Sequence, residues 1–157
     1  MLIDFHTHIF PEKIASGALD VLKAGVLKQE NKVAISFYDG TKDGLLSLMM
    51  ESGVDISVAL PIATKPSQTE SINSFAKSAS CEKIISFASL HSANENTDTI
   101  LENIKEAGFI GIKLHPEFQQ CYVDSPEIIK ILKKGEFANS QTNPVTPYEP
   151  PVGFNMA

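Results

Sequence analysis

The stretch that decides the fold is Met1-Leu2-Ile3-Asp4-Phe5-His6-Thr7-His8, followed by Ile9-Phe10-Pro11. Leu2, Ile3 and Phe5 read as a short buried strand with His6 and His8 at its end. Side chains two apart on a strand point the same way, so Asp4, His6 and His8 are expected to share a face. Two imidazoles on one face can grip one metal ion at the mouth of a parallel barrel. The plainer alternative is a pair of core or surface histidines at a strand edge. Pro11 cannot continue a central strand, so the chain turns away there.

Working outward, residues 12–24 read as a helix, with Ile14, Ala18, Val21 and Leu22 at helical spacing and Gly25 weakening its end. Lys32 to Tyr38 is β-prone, and Asp39-Gly40 signals a turn. This excursion of about thirty residues is expected to be an elaborated first loop, where such folds place lids and substrate contacts. A helix over 41–52 follows, with Thr41 as N-cap and Gly53 as its stop.

Val54 to Ile62, Lys83 to Leu90 and Phe109 to Leu114 read as three further buried strands. The helices between them carry Ile72, Phe75, Ala76 and Ala79, then Ile100, Ile104 and Ala107. Ser67 and Glu70 form a capping box for the first of these, Asn94 or Asn96 caps the second, and Ser125-Pro126 opens a last helix. The units repeat at about thirty residues, the size of a βα unit with its crossover. From Gly135 the composition changes. Residues 135–157 hold four of the nine prolines and no Lys or Arg, and read as a disordered or non-native tail.

The strand at 109–114 repeats the logic of the first. Gly111, Lys113 and His115 share one face, while Ile110, Ile112 and Leu114 share the other. The apolar set suits packing under helices. The polar set then points inward, with His115 at the strand's C-terminal end, where parallel barrels carry their chemistry. His91 ends the third strand in the same manner, so all four histidines of the chain fall at strand ends. Each could instead be satisfied by a neighbouring backbone group. Lys113 could pair with Asp4 as a structural ion pair or line the substrate site.

Ile3 to Pro11, together with Gly111-Ile112-Lys113-Leu114-His115-Pro116, resembles the amidohydrolase-related branch of the metal-dependent hydrolases over about residues 1–134. That resemblance implies an α/β fold of the TIM-type (β/α)8 barrel family, here a half barrel of about four βα units. It implies that His6 and His8 bind a divalent metal, zinc or else manganese. His115 and Lys113 would then be the catalytic residues, with His115 touching substrate or metal-bound water. Asp4 would orient a ligand histidine or close an ion pair. The implied activity is hydrolysis of amide or ester-like bonds in a small molecule by metal-activated water. A decarboxylase resembling aminocarboxymuconate-semialdehyde decarboxylase is the alternative on the same scaffold. A non-catalytic barrel fragment is a third reading, because the family's later ligands, a histidine and an aspartate, are not written in this chain. A full barrel is usually about 250 residues, and a truncated or frame-shifted product is one expectation for the 157 present.

Composition narrows the partners. A net charge of −6 and a pI near 5.2 leave no basic footprint for nucleic acid. Lys130, Lys133 and Lys134 read as a solvated helix face. No apolar run reaches the ~18 residues of a membrane span. The N-terminus lacks a signal-peptide pattern, and Cys81 and Cys121 read as free thiols suited to the cytoplasm. The exposed first and fourth strands could pair with another copy of the chain.

Overall fold

A computed structural model describes residues 1–135, with only the backbone given for Gln29 and Glu30. The expected tail lies, apart from Gly135, outside the described residues. The elements run β1 (Ile3–Thr7), α1 (Glu12–Glu30), α2 (Lys42–Ser52), β2 (Ile56–Ala59), α3 (Thr69–Ala79), β3 (Ile84–Ser86), β4 (Ala88–Ser89), α4 (Thr97–Glu106), β5 (Ile112–Lys113) and α5 (Pro126–Lys134). A 3-10 turn, Pro66–Gln68, leads into α3.

All pairing is parallel. β1 pairs β2 and β2 pairs β3 in one sheet, and β4 pairs β5 in a second. β3 and β4 are separated only by Phe87, so they are one run that pairs first with β2 and then with β5. The result is four strand positions in an α/β arrangement, with β1 and β5 at the edges.

One side of this arc is packed by helices. Leu45 and Met49 of α2 meet Ala59, Ala79, Ile84 and Ile9. Further along, Ala76 of α3 packs with Ala88, Ile104 and Phe109. Leu90, Leu101 and Ile131 then bring in α4 and α5. Ile112 and Leu114 pack on this helical side, as their spacing predicts. The opposite face carries Phe5 edge-on to Phe87, ring centroids 6.1 Å apart. Gly111 lies beneath Phe87: a Cβ there would sit 2.3 Å from the ring, so only glycine lets the backbone pass so close.

Several elements differ from the sequence reading. β1 is not buried: Ile3 is 43% and Phe5 63% exposed, because β1 is an edge with a neighbour on one side only. Its pairing also slips. Asp4 and Thr7 are three positions apart, while their partners Ser57 and Ala59 are two apart, so β1 carries one extra residue. That bulge breaks the strict alternation that would place Asp4 with His6 and His8. Lys32 to Tyr38 forms no strand, because it finds no neighbour to pair with. Val33, Ile35 and Phe37 stay exposed.

α1 runs through Gly25 and ends at Asn31, which takes a left-handed φ of 53°. The expected Ser67–Glu70 box is replaced by Gln68. Its Oε1 accepts from the Thr64 and Lys65 backbone N–H groups at 3.1 and 3.0 Å. The Thr41 cap stands as read, its Oγ1 accepting from Gly44 N–H at 3.0 Å, and Gly53 closes α2 at φ +71°. Lys134 and Lys130 reach across from α5 to Asp98 of α4 at 2.6 and 4.0 Å, on an exposed face. No helix among the described residues is long and apolar enough to cross a membrane.

Candidate metal and substrate site

His6 and His8 leave the C-terminal end of β1, and Lys113 and His115 leave that of β5. The His6 and His8 rings are T-shaped with centroids 5.0 Å apart. His8 is fixed from two directions. Its Nδ1 lies 3.0 Å from the Leu60 carbonyl beyond β2. Since a carbonyl only accepts, Nδ1 carries the proton, and the neutral ring keeps a lone pair on Nε2. The hydroxyl of half-buried Tyr38 donates to the His8 carbonyl. The long excursion therefore returns onto the strand end it left, helped by Phe10 N–H donating to Gly40 O at 2.8 Å.

Electrostatics keep the site's imidazoles unprotonated. Burial, then the neighbouring His6 and the Leu60 bond that opposes them, bring the His8 pKa down to about 4. Burial also lowers His6, with the Lys113 ammonium adding to it and Asp4 opposing. His115 is lowered by burial and again by Lys113. Lys113 itself is lowered by burial alone. These mutual effects bring His6, His8, Lys113 and His115 within electrostatic reach of one another.

Lys113 forms no ion pair among the described residues, so the Asp4–Lys113 bridge is absent. Asp4 instead accepts from the backbone N–H of His6 at 3.1 Å, steadying the bulge. His115 stacks on Phe118, centroids 4.3 Å apart and planes tilted by 33°. The pair sits in the turn after β5.

His91 stands apart. It is 7% exposed. Its Nδ1 accepts from Ala93 N–H at 3.1 Å, and the ring bonds the Thr64 backbone. Its own N–H donates to Asn94 Oδ1 at 3.0 Å. Both ring nitrogens are occupied in holding two loops.

Two residues escaped the sequence reading. Tyr38 was placed in a strand. Gln119 gave no signal, yet it is buried and ties three loops together. Its Nε2 donates to Leu90 O at 2.8 Å and Ala63 O at 3.2 Å, and its Oε1 accepts from Ser92 N–H at 3.3 Å. Ser89 adds to this clamp, its Oγ accepting from Ala63 N–H at 2.8 Å.

The imidazole pair fits a divalent ion as two of its ligands. Both rings are neutral, and His8 donates its other N–H to a carbonyl, as metal-bound histidines commonly do. Catalytic zinc normally takes three protein ligands. No group of three or more His, Cys, Asp or Glu residues able to hold a metal occurs among the described residues.

No family model matches the sequence, and no curated protein matches it. Among solved structures, the chain is similar to 4-oxalomesaconate hydratase LigJ from Rhodopseudomonas palustris. The TM-score is 0.50 at 21% identity, over 85% of this chain and 49% of that one. It also aligns with a probable 2-pyrone-4,6-dicarboxylic acid hydrolase from Acinetobacter baumannii, with a TM-score of 0.47 at 17% identity, over 85% and 45%. The likeness is one of fold. The chain spans about half the length of these neighbours.

Proposed function

We propose that this chain carries the metal-binding corner of a metal-dependent hydrolase of the amidohydrolase-related type, acting on an amide or ester-like bond in a small molecule. The observation that carries this reading is the state of His8. Its Nδ1–H is committed to Leu60 O, its ring is held neutral, and Nε2 is left as a donor beside His6. His6 and His8 would hold the ion, with zinc the first choice and manganese the second. A divalent ion there supplies Lewis acidity toward a carbonyl oxygen and lowers the pKa of bound water.

The chain's own residues do the rest. Lys113, an ammonium at the same strand ends with no ion pair among the described residues, attracts the carboxylate of an anionic substrate. This favours substrates that carry one, in keeping with the acids in the neighbours' names. His115, neutral and tilted against Phe118, contacts the bond to be broken from the β5 side. Phe5 and Phe87 form an apolar floor. Tyr38 keeps the His8 backbone in place while substrate enters.

Calorimetric titration of the metal-stripped chain with zinc and with manganese tests the reading. Binding is expected, and the double variant His6→Ala, His8→Ala is expected to abolish it. Equal metal uptake by both proteins would remove these residues from the site. A panel of carboxylate-bearing esters and amides, assayed with and without metal, tests the hydrolase assignment. Turnover that ignores the metal sinks it.

A further inference from the structure

Parallel sheets are found with both faces covered. Here the helix-packed clusters of the described residues lie on one face. The other face, with Phe5, Phe87, Gly111 and Lys113, joins none of them, and among the described residues β1 and β5 are both unpaired on their outer sides. We propose that two copies of this chain close the sheet upon itself, β1 of each pairing with β5 of the other.

The geometry is self-complementary. Rotating one copy by half a turn about an axis along the strands keeps every strand direction. It therefore brings one β1 edge beside one β5 edge in parallel, twice. Four strand positions per copy give the eight with which side chains fill a small barrel. The edges are also suited in character. β1 offers exposed Ile3 and Phe5, with exposed Leu2 just before it, and the lead-in to β5 offers exposed Ile110. β1 carries the exposed carboxylate of Asp4, and β5 carries the ammonium of Lys113, neither in an ion pair among the described residues. The solved neighbour of similar fold is about twice as long, so that fold extends for as much again as this chain provides.

The consequence for the site rests on the reading of His6 and His8 above, whereas the pairing stands on the strands alone. Adjacent strands lie about 4.8 Å apart. A second copy's β1 beside β5 puts its two imidazoles next to His115 and Lys113, and so gathers a third imidazole where no three metal-binding groups meet among the described residues of one copy.

The test uses the full chain, metal-free, in sedimentation equilibrium over a wide concentration range. The expected mass is twice the 17.1 kDa of the chain. Ile3→Arg blocks the β1 edge and Ile110→Glu the β5 edge, both at exposed positions, and circular dichroism reports whether each variant folds. A charge on an edge opposes pairing, so each variant alone has both interfaces damaged and is expected to dissociate at least about tenfold more readily. An equimolar mixture forms dimers with one intact interface, and is expected to regain mass that neither variant shows alone. A monomer at every concentration, an open polymer, or a dimer indifferent to both variants would each overturn the pairing. Dimers that bind no zinc would leave the pairing standing and remove the metal reading. Zinc-binding monomers would do the reverse.

Discussion

The end of β1 and the end of β4 each carry a histidine, and the two rings are used in opposite ways. His91, after β4, has both ring nitrogens and its backbone N–H spent on neighbouring loops. His8, after β1, spends one nitrogen on Leu60 and keeps the other, in the company of His6, Lys113 and His115. A polar group whose bonds are complete holds structure. One left with a free lone pair beside other neutral imidazoles and an ammonium gains little for the fold and is suited to binding. Burial alone does not separate the two, since burial lowers the pKa of both rings.

The largest expected effect that can break this contrast is acid destabilisation of the metal-stripped chain. His8 titrates near 4 in the fold against 6.5 when unperturbed. Between those values the unfolded chain binds the extra proton, so stability falls as pH falls through this window. The slope is about 1.4 kcal/mol per pH unit, roughly 3 kcal/mol in all. His6, His91 and His115 are shifted the same way and add to it. Asp39 and Asp98, held low by Thr41 and Lys134, are exposed and lose their bonds only at lower pH. Urea unfolding at a series of pH values checks this. His8→Gln should flatten the profile, and an unchanged profile would mean that the ring is not desolvated in the folded chain.

Much of this site was legible because strand period and strand end are local signals. His6 with His8, and Lys113 with His115, could each be set on one face by counting. That β1 and β5 bring the pairs together followed from reading four parallel units. The bulge beside Asp4 could not be counted from one strand: it depends on the register with Ser57 and Ala59. Lys32 to Tyr38 has strand composition, but a strand needs a neighbour, and composition does not supply one. The spans given to the later strands were also too long. Apolar runs such as Phe109 to Leu114 include residues that pack on helices without pairing, and only Ile112 and Lys113 are in the ladder. Gln119 was invisible because its three partners lie in loops far away in sequence.

Of intermediate size is the direct comparison of the two histidines. His91→Ala leaves the Ala93 N–H and the Thr64 backbone group without partners and opens a gap in a buried turn, for a loss of about 2 kcal/mol. His115→Ala removes a half-buried ring that packs on Phe118 and whose Nδ1 accepts only a long bond from Phe118 N–H at 3.4 Å, and is expected to cost less than about 1 kcal/mol. Denaturant midpoints for both variants, measured side by side at neutral pH, decide it. Equal losses would erase the distinction between the buried, well-bonded ring of His91 and the half-buried, weakly bonded ring of His115.

The smallest effect is also the most selective. Lys113 lowers His6, His8 and His115 through its charge but does not act on His91. Lys113→Met removes the ammonium and keeps much of the stem. The three site imidazoles should then hold their protons to higher pH, since a nearby positive charge no longer opposes protonation. His91 should titrate as before. Resolved imidazole resonances followed by NMR across the acid range would show three curves displaced upward and one unmoved. If all four move together, the change is a general loosening of the fold, and the grouping of Lys113 with these three histidines fails. If only His115 moves, β1 and β5 do not share a site within one copy, and His6 and His8 must find their neighbours elsewhere.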